Sequence, residues 1–254
     1  MNRHLSLRSG NPALTKNTFS NFTIGNTQRM TLEGTINKTI ISLLILMVAA
    51  AYTWQTWDPD KGAALMYIGM FGGLILALVT IFKPTWAPIT VPVYAVLKGL
   101  ALGIISRVYN DYIGYPGIVE QAIFLTFGIL GCLLFAYKTK IIKPTENFKL
   151  GIFAATGGIF LVYLGGFIYS IFTGETFGVM NAQNGSLISI GFSVFVVVIA
   201  SLNLVLDFDF IEEGVEKGAP KYMEWYGAFG LLVTLIWLYL EILRLLSKIN
   251  SRRS

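Results

Sequence analysis

Six ionisable side chains lie inside or at the edges of long apolar runs: Lys98, Glu120, Asp207, Asp209, Glu241 and Arg244. A charge at bilayer depth costs about 3 kcal/mol on insertion scales and normally faces a cavity or a partner, so these six are the candidates for chemistry. The densest group is LNLVLDFDFIEEGV, residues 202–215. On a helix Asn203 and Asp207 share one face, while Asp209 is turned about 200° from Asp207, so only one of the two aspartates can face a bundle interior. A partly desolvated carboxylate there can exchange a proton as pH changes or bind a hard cation through oxygen, which makes Asp207 the candidate metal-contacting residue. The competing reading leaves both aspartates simply hydrated at the membrane boundary. Further along, Arg244 follows Glu241 at ion-pair spacing, and Thr234 precedes Glu241 by two turns on the same face. Asp207 and Glu241 would lie about 20 Å apart in depth, two levels of one polar pathway. Lys98 falls midway along the third apolar run and Glu120 near the outer end of the fourth. Lys98 has a second reading, as internal partner of one carboxylate, holding a path closed.

Other chemistries lack their residues. His4 is the only histidine and Cys132 the only cysteine, so neither a His/Cys zinc site, a Ser–His nucleophile nor a disulfide within the chain can be assembled. No Walker or Rossmann glycine pattern sits between a strand and a helix. The expectation is no enzyme and no resident cofactor.

The elements that must position these groups follow from composition. The chain has 254 residues, 54% of them hydrophobic and 13% charged, with a mean hydropathy of +0.64. A soluble domain would carry about 25% charged residues, so the lipid bilayer is the expected surroundings. Apolar segments recur at about 38–57, 62–82, 88–106, 117–137, 150–172, 185–206 and 227–247, each near the roughly 20 residues a spanning helix needs. Backbone groups in lipid must be satisfied within their own segment, and period-two alternation is missing from runs such as LLILMVAAA, so the fold is expected to be all-α. Residues 1–36 read as a polar, disordered tail, 37–248 as the transmembrane domain and 249–254 as a short basic tail. Gly69, Gly72, Gly73, Gly99, Gly103, Gly157, Gly158, Gly165 and Gly166 suit close helix packing, with a hinge as the alternative at the last two pairs.

The formal net charge of +5 reflects topology rather than nucleic acid. Twelve cations fall before the first span or in loops on the same side, against Lys61 and Arg107 opposite, which puts the N-terminus in the cytoplasm. Seven spans then leave Arg244, Lys248, Arg252 and Arg253 on the wrong side. A re-entrant last segment would remove the conflict, but WYGAFGLLVTLIWLYLEILRLL is long enough to cross, and full spanning is the expectation.

YAVLKGLALGIIS at 94–106, YPGIVEQA at 115–122, LNLVLDFDFIEEGV, and APKYMEWYGAFGLLVTLIWLYLEILRLL at 219–246 resemble the bacterial branch of the Bax inhibitor/YccA-like family, the transmembrane Bax inhibitor motif family. The resemblance runs from about residue 30 to the end. It implies seven transmembrane helices with the last one central, a bacterial plasma membrane, and a pH-sensitive calcium leak controlled by an aspartate pair on the sixth and seventh helices. Asp207 matches the first of that pair. An ungapped match puts Thr234 at the second, and matching LYLE instead puts Glu241 there. A channel passing calcium or another cation is therefore the leading expectation. A non-transporting protein that modulates a protease or translocation partner is the alternative, and a proton-coupled transporter ranks last for want of inverted repeats.

Overall fold

The computed structural model of the chain describes residues 29–56 and 58–253. Seven long helices carry nearly all of them: α1 Leu32–Gln55, α2 Pro59–Phe82, α3 Ala87–Val108, α4 Ile118–Lys138, α5 Glu146–Thr173, α6 Leu187–Glu216 and α7 Met223–Arg253. All seven are long and apolar enough to cross a membrane, and no strand occurs among the described residues. At 1.5 Å per residue α7 is about 46 Å long and unbroken, long enough for the full crossing expected of it. Burial separates inner from outer helices. The most apolar stretches of α3 and α7 are 56% buried against 17% in α1, α2 and α5, where large apolar side chains such as Val48, Phe71 and Phe160 are exposed, as a lipid surrounding allows. α3 and α7 are thus equally the most buried of the seven.

The helix ends differ from the sequence reading. α1 starts at Leu32, inside the segment assigned to the polar tail, because Thr31 caps it: its hydroxyl accepts from the Gly34 amide at 3.0 Å. The rest of that tail, His4 included, lies outside the described residues. α6 continues through the whole acidic string to Glu216, and α7 absorbs the expected basic tail to Arg253. The connection expected over 110–117 begins as a π-helical turn, Tyr109–Ile113.

The chain divides into two compact units, one containing Tyr109–Leu206 and Thr234–Ser254, the other containing 29–108 and Asp207–Val233. α6 and α7 contribute a segment to each. In the second unit, α1 crosses α3 at Gly99 and Gly103, where an added methyl would collide with the Leu46 and Ala50 carbonyls of α1. Thr53 reinforces that crossing by donating to the Leu100 carbonyl at 3.0 Å. α2 lies on α3 through Gly69, Gly72 and Gly73, and the buried Thr80 and Thr90 hydroxyls join the two helices at 2.7 Å. In the first unit, Ile159, Val196 and Ile199 form a core with Tyr163, Phe192 and Trp237 around it. The packing reading holds there for Gly166, which meets Met180. It fails for Gly157, Gly158 and Gly165, whose α-carbons face open space on an uninterrupted α5, so the hinge reading finds no break in the helix either.

Candidate functional site

α6 places its two aspartates as helical geometry requires. Asp207 is 1% exposed, among the buried Leu204, Val205 and Leu206, while Asp209 is half-buried. The reading in which Asp207 is hydrated at the boundary is therefore corrected: about two and a half turns of helix follow it before α6 ends, and its side chain is covered. One turn earlier, Asn203 is buried in the other unit, its amide donating to Thr156 Oγ1 at 3.0 Å and to the Ile199 carbonyl at 2.9 Å.

α7 brings Glu241 and Arg244 together. One guanidinium nitrogen of Arg244 donates to both carboxylate oxygens of Glu241, at 2.7 and 2.8 Å. Tyr163 of α5 completes a triad: its hydroxyl donates to Glu241 Oε1 and accepts from Arg244, each at 2.8 Å, and its ring lies 5.3 Å from the guanidinium. Glu241 is 2% exposed, so this pair is held in a desolvated setting where its hydrogen bonds are strong and its disruption is costly. The local pairing read from the spacing is present. Thr234, two turns earlier, is also buried.

The remaining two candidates lie elsewhere. Lys98 is half-buried, its stem against Gly73 of α2 and its ammonium 5.9 Å from the centre of the Tyr94 ring. Among the described residues it makes no ion pair, which corrects the reading of it as a carboxylate's partner: the aromatic face of Tyr94 is its neighbour instead. Glu120 is exposed in the first turn of α4, where a negative charge complements the helix dipole.

Two clusters escaped the sequence reading. The first is Glu224, in the first turn of α7 and 0% exposed. It accepts from the Thr31 amide at 2.9 Å and the Thr31 hydroxyl at 2.8 Å, and pairs with Lys221 at 2.8 Å and with Lys38. Beside it the Met30 amide donates to the Ala219 carbonyl at 2.6 Å, so the entry to α1 is clasped to the entry to α7. The spacing of Lys221 and Glu224 was a visible signal, but Lys38 and Thr31 are far away in sequence. Glu224→Gln keeps the shape and strands two partly exposed ammonium groups. A loss of about 2 kcal/mol is expected, read as a melting temperature lowered by about 5 °C in detergent. An unshifted transition would show that the clasp carries no stability. The second cluster surrounds Lys248, expected on the outer side at the end of the last span. It is 0% exposed, because backbone and hydroxyl oxygens from α6 and the α5–α6 connection enclose its ammonium.

Seven helices long and apolar enough to span, with the buried acids among the described residues confined to α6 and α7, define a polytopic helical membrane protein. The family described as Bax inhibitor 1 like matches residues 11–251, nearly the entire chain, and the protein belongs to that family. A search of curated proteins returned no match.

Proposed function

We propose that this membrane protein is a pH-sensitive cation leak that passes calcium, with Asp207 as the acid that meets the ion. The observation that carries this reading is the burial of Asp207, 1% exposed on a spanning helix. Such a carboxylate is costly to insert, and its ordinary use is in an ion or proton pathway. An oxygen ligand replaces part of a cation's hydration shell, and protonating it removes the attraction, which couples flux to pH. Thr234 supplies only a hydroxyl where the resemblance has a second aspartate, and Glu241 is engaged by Arg244, so the acid on α6 bears the load. Glu241 acts as a second acid only when its ion pair opens. Lys98 and Asp209 are the other ionisable candidates in the same unit as Asp207. The reading includes no catalytic step and no resident cofactor; calcium is cargo. The distribution of lysines and arginines supports a cytoplasmic N-terminus, and a bacterial plasma membrane is the setting we infer.

Calcium entry into dye-loaded liposomes carrying the purified protein tests this. Flux above that of empty liposomes at neutral pH, falling on acidification, is expected, and equal flux in the two conditions would overturn the mechanism. The internal pairing of Glu241 with Arg244 favours a second reading, a non-transporting protein that binds a membrane partner. Absence of flux together with a stoichiometric co-purifying membrane protein would establish that reading instead.

A further inference from the structure

Lys248 is a buried ammonium held entirely by neutral oxygens. Its Nζ donates to the Val179 carbonyl at 2.6 Å, the Ser193 hydroxyl at 2.8 Å and the Ser189 carbonyl at 3.3 Å. Lysines near helix ends normally extend to water, and this one does not: the whole side chain is enclosed, and among the described residues no carboxylate lies at ion-pair distance. An ammonium has three donors, and three oxygens meet them.

The enclosure is built by its surroundings. Ser189 and Ser193 are one turn apart on α6, so the carbonyl of one and the hydroxyl of the other point to the same side. Val179 sits in a 3-10 turn, Gly178–Met180, which is pinned from two directions. Met180 packs on Gly166 of α5, and the Asn184 amide donates to the Gly178 carbonyl at 2.9 Å. One turn beyond Lys248, the Arg252 backbone presses on Gly185, where an added methyl would come within 2.8 Å of the Arg252 nitrogen. Ser189 Oγ is buried with no hydrogen-bond partner among the described residues, so a further oxygen of the same residue has unused capacity.

We propose that the oxygens of Val179, Ser189 and Ser193 form a cation site which the chain fills with its own Lys248 ammonium, and which accepts a small primary alkylammonium ion when that side chain is cut back. In the native protein Lys248 is a tethered plug: while it occupies these oxygens, no free monovalent cation reaches them.

Chemical rescue tests it. Lys248→Ala removes the three methylenes and the amine that n-propylammonium would replace. The variant is expected to melt about 5 °C below the parent in detergent. Propylammonium chloride should restore most of that shift, whereas tetramethylammonium chloride at the same concentration, having no N–H to donate, should not. Equal effects of the two salts, or of propylammonium on variant and parent, would overturn the proposal. Should Lys248→Ala fail to fold, Ser193→Ala in the otherwise native chain decides. Mass spectrometry after amine acetylation should find Lys248 modified about tenfold faster once an acceptor is gone, the factor corresponding to about 1.4 kcal/mol. An unchanged rate would overturn the site.

Discussion

Arg244→Met should be the most damaging single substitution in the first unit, lowering stability by about 3–5 kcal/mol and the melting temperature by about 10 °C. The cause is not the loss of an attraction alone. Methionine fills much of the arginine's volume but leaves Glu241, 2% exposed, with a carboxylate that only the Tyr163 hydroxyl still serves. Buried charge without compensation is the expensive state, and removing both partners avoids it. The double substitution Glu241→Gln/Arg244→Met should therefore recover most of the loss, giving a large coupling energy in a double-mutant cycle followed by thermal melting. Additive losses would mean that the pair is not coupled and that Arg244 acts through packing.

Asp207→Asn should remove most of the flux and all of its response to pH. Asparagine has the outline of a protonated aspartate, so the variant at neutral pH should behave as the native protein does in acid. One unit charge about 4 Å from a cation is worth roughly 4 kcal/mol at an effective dielectric of about 20. Even a third of that is about a tenfold change in occupancy. Calcium uptake by liposomes, measured at both pH values, gives the answer. A variant that conducts like the parent at both would remove Asp207 from the pathway and leave the seven-helix scaffold without an assigned acid. Melting curves of the same preparations separate this from misfolding, since a folded but silent variant supports the role.

The seven helices were legible because lipid leaves the backbone one solution per apolar segment. The split fates of Asp207 and Asp209 were legible for a similar reason, since a fixed rotation per residue decides which of two nearby side chains turns inward. Helix ends were less so. The start of α1 depends on Thr31 and on Glu224, which lie 193 residues apart, and no local pattern announces such a pairing. Lys248 was misplaced because a lysine close to a helix end reads as a hydrated one. Only the fold brings Val179, Ser189 and Ser193 to it. The glycines of α5 misled in the opposite direction: small residues permit close approach, but a neighbour must come, and none comes to Gly157 or Gly158.

The clasp at Glu224 also constrains how the chain is made. At typical synthesis speeds of about 5–20 residues per second, Thr31 is translated roughly 10–40 s before the carboxylate it will grip. Through that interval the first helix sits in the translocation machinery or the bilayer with its cap unsupported and Lys38 lacking its final counter-charge. A nascent chain stalled anywhere before its last helix therefore lacks the Glu224 contacts that hold its first segment.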